Sequence, residues 1–387
     1  MTSCRLIWYL YFIHREKAKP AQIEFLGLGS MCADPENGPR KMLSKTVRTN
    51  LACFAFGLVL FAGLLYWIRA TPVLEHLSRV GPWIFGVILF YGIAQLFFIL
   101  AWRVLLDEEG KAIGLWRLSR AYLAGDAVNY VVVSGNLAGE PLKAHLLRED
   151  LPFVKGLSSV TVNKLSEAVS MIAFQAVGIL MAIGCNLLTT EMAWGSLIVF
   201  LLMSVGISLF FWRQKKGLFA WMFQGLSKVG IARSFFERIA FKARRLDAQI
   251  SGFHETGGRQ FRVSLALNFC GWAVGAVEGY LLLKLLGVEA TIPMVWGIEA
   301  ITVLANNLFF FIPARLGGSD GGKVLVFLAM GMSSALGLSF GLLRRAREIA
   351  FAAIGFLFLF QMNPFQQRIP ENLVDPQALG RTERLAP

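Results

Sequence analysis

Two stretches decide how this chain is read. Asn129-YVVVSGNLAG-Glu140-PL-Lys143 is followed by Lys164-LS-Glu167, and Asn307-LFFFIPARLGGSDGG-Lys323 is followed by Arg345-AR-Glu348. In each, an Asn precedes a short apolar run, and a Gly or Pro (Gly135, Pro313) breaks the chain. A second glycine follows four residues later, at Gly139 or Gly317. A long apolar segment headed by a basic-x-x-acidic quartet comes next. Internal repeats and interrupted helices beside charge inside a hydrophobic sequence are the usual trace of a transporter's binding site.

The surrounding chain is that of a membrane protein. Its 387 residues are 56% hydrophobic and only 16% charged, where a soluble domain carries about 25% charge. The mean hydropathy is +0.57. Charge-free runs at 51–68, 80–102, 168–190, 192–212, 324–343 and 349–367 have about the 17–25 residues that cross a hydrocarbon core. Two further runs, 263–285 and 290–314, each contain an acid, Glu278 or Glu299. So many runs of this length exclude a buried core of a soluble protein and predict an all-α, polytopic transmembrane bundle.

Charge sets the orientation. The segment 213–262 carries eleven Lys/Arg against Glu237, Asp247 and Glu255, whereas the links 186–191 and 287–291 carry none. The positive-inside rule places 213–262 in the cytoplasm, with the two links outside. Lys41, Lys45 and Arg48 place the N-terminus inside as well. The net charge of +13 thus gathers at a cytoplasmic surface beside anionic lipid, and its placement around spans argues against nucleic acid. Phe235, Ile239, Ala243, Leu246 and Ile250 recur at helical spacing within the loop. They predict an amphipathic helix, either on head groups or on the protein's own cytoplasmic face.

Residues 1–42 read as a disordered N-terminal extension, with Met42 a plausible start, residues 43–364 as the transmembrane domain, and 365–387 as a flexible tail. The five cysteines are scattered singly and the four histidines form no cluster, so no metal or catalytic signature is expected. Gly317-GSDG-Gly322-Lys323 has the spacing of a phosphate-cradling loop, but Val324 stands where Ser or Thr would hold magnesium, and no βαβ strand precedes it. A glycine-rich turn opening a helix still favours anions.

The first copy predicts a helix from about Leu118 to Val133, a turn through Gly139-Glu140-Pro141, and a return piece through Leu146. That is a re-entrant hairpin, tolerated only against protein or a wet cavity. The second runs from about Ile292 through Pro313 and Gly317–Gly322 to Leu343. Spans at about 158–185, 192–212 and 263–285 lie between them, so the second copy starts from the opposite side. The halves would then form an inverted-topology repeat.

Lys164 with Glu167, and Arg345 with Glu348, are spaced to pair on one helix face. An ionisable residue in a span costs roughly 2.5–3.5 kcal/mol, and a buried pair rarely offsets that. The alternative is snorkelling at the interface. Glu140, Lys143, Arg315, Asp320 and Lys323 belong with the quartets; Asp126, Glu278 and Glu299 each lie alone and read as caps or internal partners.

The motifs NYVVVSGNLAGEPLKAHLL, VNKLSEAV, FFFIPARLGGSDGG and LLRRAREIAF resemble the flippase-like domain family. That family includes the membrane half of lysylphosphatidylglycerol synthases and stand-alone proteins, some encoded with hopanoid or glycolipid pathways. The resemblance covers about residues 45–362. Its strongest motifs are Gly139-Glu140-Pro141 with Lys143, and Pro313 with Gly317. The family usually has Arg near Lys143 and Lys164 and Glu near Asp320; here charge is kept and residue type is not, which favours charge recognition over bidentate Arg–phosphate geometry. The resemblance implies translocation of a polar lipid between leaflets. With nothing globular after residue 362, lipid aminoacylation by this chain is not expected.

The site so read comprises Asn129, Gly139, Glu140, Lys143, Lys164, Glu167, Asn307, Pro313, Arg315, Gly317, Asp320, Lys323, Arg345 and Glu348. Lys143, Arg315, Lys323 and Arg345 would hold a head-group phosphate, and the acids would pair with those bases in the empty state. Membrane lipids are the expected partners, no cofactor is expected, and the expected location is the bacterial inner membrane. The competing readings are an enzyme that modifies a lipid head group, with Glu140 or Asp320 as base, and an accessory subunit of a lipid-synthesis complex.

Overall fold

In the computed structural model the described residues are 70–106, 108–132, 138–215, 258–308 and 318–362, together with Tyr66. The extension 1–42, nearly all of the run 51–68, most of the basic loop 213–262 with its amphipathic segment, and the tail 365–387 lie outside them. Every regular element described is an α-helix. These are α1 Ala70–Val80, α2 Trp83–Val104, α3 Glu108–Lys111, α4 Leu115–Val131, α5 Gly139–Leu146, α6 Phe153–Gly184, α7 Thr190–Lys215, α8 Gly258–Leu285, α9 Ile292–Leu308, α10 Gly318–Ala329 and α11 Ser334–Met362.

Helices α2, α6 and α8 are long and apolar enough to cross a bilayer, with mean hydropathies of 2.4, 1.7 and 1.3 over their best windows. Phe85, Leu89, Leu180 and Leu202 are exposed on the outside of the bundle, a surface that hydrocarbon covers and water would not tolerate. The boundaries correct the sequence reading in two places. The run read as 168–190 is the C-terminal part of a 32-residue helix that starts at Phe153, so the Lys164–Glu167 quartet lies inside the helix rather than at its head. The runs read as 324–343 and 349–367 do not form two spans. Gly331, at φ 74°, turns the chain after α10, and α11 then continues through the Arg345–Glu348 quartet for 29 residues. A left-handed turn is where glycine is favoured, and the hydroxyl of Ser333 accepts from Leu336 N–H at 3.2 Å to start the new helix. Charge interrupts hydropathy without interrupting helix.

Both broken segments are antiparallel hairpins. In the first, Gly139 lies against Gly125, and Lys143 against the same glycine. Its base is tied by Arg117, which donates to Glu149 and pairs with Asp150, both at 2.7 Å. In the second, Gly322 of α10 lies against Ala305 of α9, and Met330 reaches Gly297. Each hairpin rests one leg on α6 and the other on α11.

The packing is self-exchanging. Substituting α7, α8, α9, α10 and α11 for α1, α2, α4, α5 and α6 turns α1 on α11 into α7 on α6, and α4 on α11 into α9 on α6. It turns α5 on α6 into α10 on α11, and all of these contacts are present. The α2–α8 pair, which is the largest contact, maps onto itself. Within it Phe98 packs on Trp272 (ring centroids 5.8 Å apart) and Gly271, Leu105 shares a cluster with Phe261 toward one end, and Val87 shares one with Leu282 toward the other. As residue numbers fall in α2 they rise in α8, so the equivalent helices run antiparallel. Two apolar cores flank this pair, one around Trp102, Leu118 and Leu146, the other around Leu282, Phe327 and Phe340.

Candidate functional site

The sequence of α5 brings an acid and a base into one turn. Glu140 falls in the first turn, where a helix tolerates proline and favours acid. Asn129, reaching from α4, accepts from Gly139 N–H at 2.7 Å and donates to Glu140 at 3.0 Å, which satisfies an orphan N–H of the helix start. Glu140 Oε1 then receives Lys143 at 3.3 Å and Lys164 of α6 at 3.7 Å. Lys143 also meets Asp126 at 2.9 Å and stands 4.0 Å over the Tyr122 ring. Lys164 closes the circuit on Glu167 at 2.9 Å.

The second half repeats this wiring. Asp320, in the first turn of α10, holds Arg345 of α11 at 2.6 Å through one oxygen, and its other oxygen is 3.9 Å from Lys323. Thus an acid-x-x-Lys on the short helix is bridged to a base on the long one in both hairpins. The offset is 180 residues on the short helices (Glu140 to Asp320, Lys143 to Lys323) and 181 on the long ones (Lys164 to Arg345, Glu167 to Glu348). Apolar contacts keep the same register: Gly156 packs on Ala144, and Gly337 on Val324. Lys164 and Arg345 each lie eleven residues past the first residue of their helix, Phe153 and Ser334. At 1.5 Å per residue both lie about 16 Å along the helix axis from its start, against a hydrocarbon core of about 30 Å.

Four expected residues are therefore placed in the first circuit with Asn129 and Gly139, and Asp320, Lys323 and Arg345 in the second. In the second circuit Arg345 donates to Asp320 at 2.6 Å, and Glu348 also lies 3.8 Å from Arg347. Tyr130 of α4 lies near Arg345 and Asp320, which brings the first hairpin beside the second circuit. Asn307 sits in the last turn of α9; Pro313, Arg315 and Gly317 lie outside the described residues.

Sequence reasoning missed a third network. Arg344 donates to Glu299 at 2.6 Å, to Glu278 at 2.9 Å and to the Gly275 carbonyl at 3.0 Å. Arg347 donates to Glu278 at 2.6 Å and lies 3.8 Å over the Tyr91 ring. Glu278 and Glu299, alone in the sequence and expected to cap or pair within the fold, are buried pairing partners, and Asp126 is the partner of Lys143. The signal was the run Arg344-Arg345-Ala346-Arg347, three guanidiniums in one turn of a helix otherwise fit for lipid. Their number matches the three acids Asp320, Glu278 and Glu299 that receive them.

A helical bundle with lipid-facing apolar surface and paired ionic circuits deep inside its long helices defines an integral membrane protein with a polar interior. The family described as the lysylphosphatidylglycerol synthase TM region matches residues 54–355, and the chain belongs to it. No curated protein and no solved structure matches the chain significantly.

Proposed function

We propose that this chain moves a polar or charged lipid between the leaflets of the bacterial inner membrane, without modifying it. The observation that carries the reading is the duplicated circuit, built at equal helix depth on two hairpins whose packing exchanges pairwise. Antiparallel equivalent helices relate through an axis perpendicular to them. With α2 and α8 spanning the bilayer, that axis lies in the membrane plane, the arrangement of an inverted-topology repeat whose site faces either side in turn. The hairpins are re-entrant in this reading, entering from opposite faces. The basic loop 213–262 and the N-terminus are cytoplasmic. Charged groups at half depth exchange partners with a head group, while the acyl chains stay in the bilayer.

Leaflet exchange of fluorescent lipid in reconstituted vesicles tests this. Arg345→Ala and Glu140→Ala abolish exchange while leaving insertion and yield intact; unchanged exchange in both rejects the assignment. Mass spectrometry of the recovered lipid separates the competing chemistry, since transport leaves the mass unchanged and head-group modification alters it.

A further inference from the structure

The two lysines of the duplicated circuit are equivalent in sequence and unlike in what they touch. Lys143 is 2% exposed, and its ammonium has Asp126 at 2.9 Å, Glu140 at 3.3 Å and the Tyr122 ring beneath it. Lys323 is 1% exposed, and its closest carboxylate is Asp320 at 3.9 Å, beyond hydrogen-bonding distance. Among the described residues no hydrogen bond leaves the Lys323 ammonium. Asp320 gives its Oδ2 to Arg345 at 2.6 Å and keeps its Oδ1 3.9 Å from the ammonium. A buried ammonium has three donors to satisfy, and leaving them unsatisfied in a low-dielectric interior is costly.

The fold keeps room for this side chain. A Cβ at Gly341 of α11 would stand 3.3 Å from the Lys323 stem and 3.5 Å from Asp320 Oδ1. The ammonium is directed back to the first turn of α10, where Gly318 and Ser319 are also buried, so it adds to the positive end of a 12-residue helix. A helix start and an unsatisfied buried cation together make an oxyanion site.

We infer that Lys323 with the start of α10 is the phosphate-binding element of the site, and that Lys143 is a positioning residue which fixes Glu140 and Asp126 and contacts no ligand. The ligand is a phosphate oxyanion, carried on a lipid head group or free. This rests on the transport reading for its role but not for its detection.

The test uses the full chain, purified in neutral detergent, with melting temperature as readout. Inorganic phosphate (against chloride at matched ionic strength) and phosphatidylglycerol are each titrated in. The wild type gains stability with at least one probe: with phosphatidylglycerol alone if the site takes only lipid phosphate, with both if it takes the group itself. Lys323→Gln shifts the midpoint of that gain at least about tenfold higher, and Lys323→Arg restores it. Lys143→Gln leaves the midpoint in place but melts lower without ligand, since it strands two acids, whereas ligand-free Lys323→Gln melts no lower than wild type. Three results overturn the inference: no gain with either probe, an unshifted midpoint in Lys323→Gln, or a ligand-free Lys323→Gln that melts markedly lower. Leaflet exchange, measured on the same variants, keeps the two readings apart. Binding that needs Lys323 without any exchange rejects transport alone, and exchange indifferent to Lys323 rejects this site alone.

Discussion

Arg344 shows how much one side chain can hold. It joins α11 to α8 through Glu278 and the Gly275 carbonyl, and to α9 through Glu299. Gly279 leaves the space for it, because a Cβ there would stand 2.5 Å from Glu299 Oε1. With Arg347 the network holds two bases and two acids, a neutral set in which each base donates to an acid, which suits a structural joint better than a site awaiting charge. Arg344→Leu leaves Glu299 and part of Glu278 buried without a donor and costs about 3–5 kcal/mol, read as loss of resistance to unfolding in mixed detergent micelles. Lys111→Ala removes the exposed pair with Glu108 and changes nothing measurable. A variant Arg344→Leu as resistant as wild type would make the network dispensable. The sequence showed that charge lay in the spans, because charge in an apolar run is visible by contrast. It did not show which acid meets which base, because Glu278 and Glu299 lie 66 and 45 residues from Arg344, and only tertiary packing joins them.

The hairpins depend on small residues where backbones meet. Gly125 faces the Gly139 carbonyl, 2.9 Å from where a Cβ would be, with the Lys143 stem beside it. A methyl group there separates α4 from α5 and pulls Lys143 from Asp126. Gly125→Ala therefore costs about 1–3 kcal/mol by overpacking and lowers exchange more than stability. Gly321 has nothing within 4 Å of its Cβ position, so Gly321→Ala in α10 is neutral or gains about 0.5–1 kcal/mol. Equal effects of the two alanines would refute the close-approach account. Element existence was legible here, since the breaks at Gly135 and Gly139 interrupt an apolar run and the antiparallel return follows from their spacing. Helix ends were less so: hydropathy alone cannot see that α6 and α11 carry their quartets a third of the way along, because a helix continues through ions that its neighbours pair.

At the scale of the molecule, the exchange of packing between halves is incomplete, and the incompleteness has a direction. Helix α8 lies closely along α6, with Ser264 donating to Ser166 at 3.0 Å, Asn268 donating to the same hydroxyl at 3.2 Å, and Ser170 donating to the Leu265 carbonyl at 2.8 Å. The equivalent pair, α2 with α11, touches only slightly. In an inverted repeat, a contact present on one side and missing on the other marks which side is closed, and the opposite state has the two exchanged. Under the proposed transport, helix α6 parts from α8 while α11 closes on α2. Cysteines at Ser166 and Ser264, with exposed Cys185 and Cys270 and the remaining cysteines replaced by serine, place two sulfurs where hydroxyls now bond. Oxidation to the disulfide stops leaflet exchange and reduction restores it. Serine and asparagine hydrogen bonds between membrane helices contribute about 0.6 kcal/mol each on average, so parting the α6–α8 seam would be inexpensive. Full exchange in the oxidised protein would mean that the seam stays shut throughout transport, and the asymmetry between the halves would then be a fixed feature of the fold.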